Sequence, residues 1–277
     1  MMWRKFLYNV TPPVLINLAR IFNNSSCQGR DKDREIARLR QYPRFTPVIT
    51  DLLGKKLEIV DSLSFISMYI DIFQKQIYRF ETEDINPYII DGGANVGLSV
   101  IYFKQLYPHS KIIAFEADAD IFKILQRNIE FWQCDDIELV CKALWQRETE
   151  LMFVSNGADA GRVARGNELC DKIIPTTRLR DYLTHPVSFL KLDIEGAETE
   201  VIKDCADLLV NVDNLFVEYH SFKREPQTLH LLAALLIDAG FRLYIENSCV
   251  VSGQPFINRS EYLGMDLQLN IFAYRCR

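Results

Sequence analysis

The sequence predicts an α/β fold, a doubly wound and mostly parallel sheet with a small α/β lobe in front of it. Three observations carry this. From Pro87 onward short apolar runs alternate with helical patterns, the spacing of repeated βα units. A glycine-rich turn joins the first of those runs directly to a helix, and carboxylates recur at the ends of later runs, where open α/β sheets bind ligands.

The elements follow in order. Residues 23 to 47 are polar, and the charge-rich run Arg30 to Arg40 reads as a solvated connecting helix. Lys55 to Val60 reads as a strand, Phe65 to Phe73 as a helix and Ile77 to Phe80 as another strand. Pro87 then opens the main unit, dividing the chain into an accessory lobe over 1–86 and a cofactor domain over 87–277. In that domain the pattern gives strand 88–91, helix 97–107, strand 111–116, helix 119–132 with Ile121, Leu125 and Ile129 on one face, and strand 137–141. Leu151 to Val154 and Asn156 to Gly166 break the alternation and read as a hairpin or mobile loop. Strand 187–193, helix 197–209, strand 214–219 and helix 226–239 resume it, the last burying Leu229, Leu232, Ala233, Leu236 and Ile237 and closed by Gly240. Phe241 to Glu246 and Leu267 to Tyr274 read as a reversed pair at the sheet edge.

Composition narrows the function classes. The chain has 277 residues, 48% of them hydrophobic, and a formal charge of −5, so it carries no overall basic footprint for nucleic acid. Its seven cysteines are scattered without Cys-x-x-Cys spacing, which argues for free thiols in a reducing cytosol rather than a disulfide framework or zinc site. Met1 to Phe22 places Arg4 and Lys5 before an apolar stretch interrupted by Pro12, Pro13, Asn17 and Arg20. It reads as a partly amphipathic segment that packs on the protein or touches a membrane surface, not as a secretion signal.

The glycine turn is Asp91-Gly92-Gly93-Ala94-Asn95-Val96-Gly97. Glycines let the backbone turn tightly and approach a ligand, and the N–H groups of the next helix face its polar groups. The dinucleotide fingerprint requires glycine where Ala94 stands, and a phosphate-cradling loop requires a lysine where Leu98 and Ser99 follow Gly97. What remains, an acid at the strand tip with Gly93 and Gly97 flanking Ala94 to Val96, looks like motif I of the S-adenosylmethionine (SAM) methyltransferases. Glu116 ends the next strand about 20 residues on, where such folds hold a ribose diol, and a carboxylate accepts from both hydroxyls.

The segment Phe189 to Glu198 puts Asp193, Glu195 and Glu198 at a strand's carboxyl end and the following helix start. Glu218 and His220, two apart on the next strand, share a face and are expected to converge with them beside the cofactor. With these residues in view the chain resembles the FkbM-type methyltransferase family over about residues 55 to 275. The likeness rests on Asp91 to Gly97, Lys191 to Glu198, and Glu218 with His220. It implies a Rossmann-like sheet of seven strands, SAM as cofactor, and O-methylation of a hydroxyl on a sugar, glycan or secondary metabolite. It departs from the family pattern at Glu116-Ala117, where proline often follows the acid, and at Leu179-Arg180, where aspartate often follows leucine; the second points to a different substrate surface.

The cofactor residues so expected are Asp91, Gly92, Gly93, Ala94, Asn95, Gly97, Ser99, Glu116, Ala117 and Asp193. His220 is the first expectation for the base that takes the acceptor proton, with Asp193 second and Glu218 beside them. Asp193, Glu218 and His220 are also a candidate ligand set for Mg²⁺ or another oxygen-preferring cation. Glu198 reads as an N-terminal helix charge acting on its own helix dipole. The stripe Phe65, Tyr69, Phe73 and Tyr78 reads as core or as lining for an acceptor pocket. A nicotinamide-dependent oxidoreductase and a non-catalytic SAM-binding module stay as alternatives, separable by a hydride-transfer assay and by SAM binding without turnover.

Overall fold

The computed structural model describes residues 28–155, 161–164, 170, 172–248, 252, 254–258 and 261–276. The expectations for residues 1–22, and for much of 156–166, lie outside these. The lobe begins with α1 (Gln28–Leu39), β1 (Val48–Thr50), β2 (Leu57–Ile59) and α2 (Ser62–Tyr69), the last running into a π turn over Ile70–Gln74. β1 and β2 pair antiparallel. Asp61 caps α2, its carboxylate accepting from Ser64 N at 2.9 Å, and Arg44 pairs with it at 2.8 Å.

The main sheet follows as β3 (Tyr88–Gly92), α3 (Leu98–Leu106), β4 (Lys111–Phe115), α4 (Ala119–Trp132) and β5 (Ile137–Val140). A side sheet of β6 (Ala143–Leu144), β7 (Glu150–Val154), β8 (Arg162–Val163) and β9 (Lys172–Thr177) intervenes. The alternation resumes with β10 (Phe189–Leu192), α5 (Glu198–Asp204), β11 (Asn214–Phe222), α6 (Leu229–Asp238), β12 (Arg242–Asn247) and β13 (Met265–Tyr274). The seven-stranded sheet has the order β12-β13-β11-β10-β3-β4-β5. β5, β4, β3, β10 and β11 pair parallel, and β13 runs antiparallel between β11 and β12, the reversed pair that the sequence predicts.

Both faces of the sheet are covered, and the period of two in the strands shows how. Ile89, Ile112 and Phe216 point into the core shared with α3, α4 and the lobe, while Ile90, Ile113 and Val217 point into the core under α5 and α6. Phe65, Tyr69, Tyr78 and Phe80 belong to the first of these cores, so the lobe and the sheet are packed through one continuous apolar cluster. Among the described residues no helix is long and apolar enough to cross a membrane.

Four elements differ from the sequence reading. Ile77 to Phe80 form no strand, because no neighbouring strand is there to pair; Phe80 N instead donates to Tyr107 Oη at 3.2 Å and the rings of Tyr78 and Phe80 fill the core. The helix predicted over 197–209 stops at Asp204 and continues as a 3₁₀ turn over Ala206–Asn211. Arg178 binds the Asp204 carboxylate at 2.6 and 3.0 Å and Arg180 donates to its carbonyl at 3.0 Å, which satisfies the helix end. On α6 the buried residues are Leu232 and Leu236 with Leu235 packed beside them, and Ile237 is exposed. The interrupting segment after β5 holds the predicted hairpin, β7 with β8, and differs in that β9 joins β7 to build it into a side sheet.

Candidate functional site

The carboxyl ends of β3, β4, β10 and β11 open into a cleft of about 1180 Å³, counting its open mouth. The glycine turn forms one end. Gly93 N and Ala94 N both donate to Phe115 O, at 3.0 and 2.8 Å, which ties the turn to β4. Gly93 has φ +90°, and a Cβ there would lie 1.9 Å from the Asp193 carbonyl oxygen. Gly97 has φ +93°, and its Cβ would lie 2.8 Å from Leu125 Cδ1, so α3 meets α4 with no room for a side chain. Asn95, at φ 49°, donates its N–H to Glu116 Oε2 at 2.9 Å, while Asp118 N donates to Glu116 Oε1 at 2.8 Å. Burial outweighs those two bonds and raises the Glu116 carboxyl to about 7.

Gly93, Ala94, Asn95, Ser99, Glu116, Ala117 and Asp193 line the cleft; Asp91, Gly92 and Gly97 stand behind it. The expectation that Asp91 touches the cofactor is therefore corrected. Its carboxylate is fully buried, with Oδ2 accepting from Ser99 Oγ and Oδ1 3.2 Å from Lys191 Nζ, so it holds the turn from beneath.

The other end of the cleft is acidic. Asp193, Glu195 and Glu218 line it. Glu195 sits at φ 56° and Gly196 at φ 97°, a left-handed turn that brings the Glu195 carboxylate back toward β11. Glu198 opens α5, as its reading as an N-terminal helix charge requires, and it also makes contacts beyond its own helix. It is buried, and its Oε1 accepts from Gly196 N at 2.9 Å and Ile194 N at 3.2 Å while lying 3.0 Å from His220 Nδ1. His220 Nε2 lies 3.7 Å from Glu195 Oε2 and 4.0 Å from Asp193 Oδ1. Glu218 Oε1 accepts from Ser248 Oγ at 3.0 Å and from the Gln268 amide.

The geometry brings Asp193, Glu218 and His220 together as expected but corrects the role of His220. Its ring is buried and does not reach the cleft wall. Burial by itself lowers the imidazole, yet the carboxylates of Glu195 and Glu198 outweigh it and hold it well above its ordinary range. A ring that does not reach the cleft cannot take a proton from an acceptor bound there. Burial conversely raises Glu195 and Glu218, with Asp193 adding to both.

Two features escaped the sequence reading. Lys191 lies inside β10 and is 2% exposed; its Nζ donates to Gly93 O at 2.9 Å and lies 3.5 Å from Asp193 Oδ2. A lysine within the apolar run Phe189 to Leu192 was the available signal. The second is the wall formed by Phe153, Arg162 and Val163 of the side sheet, for which the sequence offered none. Arg180, expected on a substrate surface, faces the end of α5 and does not line the cleft. Of the aromatic stripe, Tyr78 alone lines the cleft, Phe65 and Tyr69 being core.

A parallel sheet with a glycine turn, an acid after the second strand and an acidic patch across one cleft defines a methyltransferase of the nucleoside-cofactor kind. The chain belongs to the FkbM methyltransferase domain family, whose sequence model matches residues 91–243. It is 25% identical over 231 residues to Methyltransferase 1 of Beauveria bassiana (strain ARSEF 2860), covering 70% of this chain and 92% of that protein. It is 40% identical over 62 residues to Methyltransferase sdnD of Sordaria araneosa, covering 22% of this chain and 24% of that one. Among solved structures, the FkbM methyltransferase of Methylobacillus flagellatus KT is similar at 14% identity and a TM-score of 0.48, over 73% of this chain and 46% of that one. Membership makes the protein a SAM-dependent methyltransferase.

The cleft fits that cofactor at its glycine end. Gly93 lets the turn close onto the Asp193 carbonyl while lining the cleft itself, and Glu116 presents a carboxylate beside Asn95 and Ala117. Glu116→Gln is expected to weaken S-adenosylhomocysteine binding about 10–100-fold, since it removes the charge from hydrogen bonds worth about 1.5–3 kcal/mol. Ionised Glu116 is the form expected to accept both ribose hydroxyls. Affinity should therefore tighten as pH rises through about 7 and level off above it. Calorimetric titration at several pH values checks this; affinity independent of pH in the wild type would remove Glu116 from the ribose site.

Proposed function

We propose that the protein methylates a hydroxyl oxygen of a small-molecule or glycan acceptor. The supporting observation is one continuous cleft with Glu116 at one end and Asp193, Glu195 and Glu218 at the other. Carboxyl oxygens accept hydrogen bonds, and three carboxyls side by side offer many acceptors, so the acidic end favours ligands rich in donors, as sugars and polyols are. Tyr78 adds a ring edge on which the apolar face of such a ligand packs.

When bound, SAM supplies an electrophilic methyl group on a sulfonium. Gly93, Ala94, Asn95, Glu116 and Ala117 would hold it. In this reading Asp193 takes the hydroxyl proton; its side chain is 26% exposed and Lys191 steadies one oxygen from behind, which supports that role. Glu195 and Glu218 orient further hydroxyls, and Glu198 and His220 brace the Glu195 turn. The proton taken by Asp193 passes to water at the open mouth.

The test is incubation with SAM and a panel of glycosides, polyols, phenols and amines, with mass spectrometry of the products. We expect hydroxyl-bearing acceptors to gain the methyl group. Asp193→Asn should slow transfer about 10²–10⁴-fold with S-adenosylhomocysteine binding retained. Products methylated only on nitrogen or carbon would overturn the O-methyl reading, and an unimpaired Asp193→Asn enzyme would remove Asp193 as base.

A further inference from the structure

We propose that Asp193, Glu195 and His220 form a site for one divalent cation that accepts both carboxylate oxygen and imidazole nitrogen. Each residue contributes one ligand atom, and the three atoms lie within 4.8 Å of one another. His220 Nε2 stands 3.7 Å from Glu195 Oε2 and 4.0 Å from Asp193 Oδ1, too far for a hydrogen bond to either. Ligand atoms bound to one small divalent ion at about 2.0–2.3 Å stand about 3–4 Å from one another. The gap between the atoms is thus the size of an ion.

The histidine supplies the second argument. Its side chain is 1% exposed, so the ring cannot turn away to solvent. Nδ1 faces Glu198 Oε1 at 3.0 Å, which leaves Nε2 aimed between the two carboxylates. A carboxylate behind a metal-bound histidine is the usual way to fix the ring and make the facing nitrogen a better ligand. Among the described residues the one other group within hydrogen-bond reach of Nε2 is the Gln268 amide at 3.4 Å, at the long limit of such contacts.

The ligand set differs from the one the sequence offered. Glu195 takes the place of Glu218, because it is the Glu195 carboxylate that brings an oxygen within 4.8 Å of the ligand atoms of both Asp193 and His220. Because Asp193 and Glu195 also line the cleft, a cation held there would keep coordination positions open toward it. There it would bind the acceptor hydroxyl and lower its pKa, activating it in place of Asp193, whose Oδ1 would then be a ligand; this use rests on the O-methyl reading above. The ligand geometry does not.

The experiment is titration of the chelator-treated protein, saturated with S-adenosylhomocysteine, with manganese chloride, reading free Mn²⁺ by electron paramagnetic resonance. One site per chain with micromolar affinity is expected. Glu195→Gln and Asp193→Asn, both at the cleft wall, should each weaken it more than tenfold. Glu198→Gln should weaken it about 10–100-fold, and the surface variant Glu261→Gln should leave it unchanged. Calorimetry with S-adenosylhomocysteine on the same metal-free protein separates the two readings. Cofactor binding with no Mn²⁺, Mg²⁺ or Zn²⁺ bound at millimolar concentration overturns the cation site and leaves the methyltransferase cleft standing. Mn²⁺ uptake that survives both cleft-wall variants places the ion elsewhere and likewise overturns the assignment.

Discussion

Gly93→Ala is expected to cost about 2–6 kcal/mol of stability and to abolish measurable cofactor binding. Two separate penalties add. Alanine at φ +90° carries backbone strain of about 1–3 kcal/mol, and its Cβ would meet the Asp193 carbonyl oxygen at 1.9 Å, where overpacking costs about 1–3 kcal/mol more. Neither contact relaxes cheaply. The obstructing atom is backbone at the end of β10, and the turn is already fixed to β4 through Phe115 O. Gly54 provides the control, because at φ +85° its Cβ would meet nothing within 4 Å. Gly54→Ala should therefore show only the strain. Thermal unfolding and calorimetry with S-adenosylhomocysteine check both variants; equal losses at the two positions would mean that the close approach of turn and strand contributes nothing.

Lys191→Met is expected to destabilise the protein by about 3–5 kcal/mol and to loosen the same turn. The lysine is the cation between Asp91, which is fully buried, and Asp193, and it also donates to Gly93 O. Removing it leaves a buried carboxylate with Ser99 as its remaining polar contact, and an uncompensated buried charge costs several kcal/mol. Although burial lowers a lysine, the Asp91 and Asp193 charges outweigh it and raise Lys191 above its ordinary value. The sign follows. Its contribution is full at neutral pH and is lost only as pH rises through that elevated value. Adding Asp91→Asn to Lys191→Met should recover part of the loss, because the charge left behind is then removed. Denaturant unfolding of both single variants and the double variant measures this coupling, and strictly additive losses would show that the pair does not act as one unit.

Much of the fold was readable from local pattern. The βα alternation, the reversed edge pair, the cap at Gly240 and the 14 residues of α4 depend on periodicity and turn chemistry within a short window. The glycine turn and the position of Glu116 were readable for the same reason, since each is set by a motif of a few residues. The sequence also named Asp193, Glu195, Glu218 and His220 as a group. It could not divide the roles among them.

Those roles depend on distances between residues far apart in the chain. Asp91 appears from sequence as a cofactor acceptor, and only the approach of Lys191 shows it to be the anchor beneath the turn. His220 has the chemistry of a base until Glu198 and Glu195 close around it. The wall of Phe153, Arg162 and Val163 exists because β7 folds back between β8 and β9, a pairing no local pattern specifies. By itself the sequence determined the order of strands and helices and the residue types at their ends, because backbone propensity and hydrophobic period are local. Tertiary structure decided which carboxylate faces the cleft and which is neutralised beneath it, because burial and charge pairing arise only when separate strands meet.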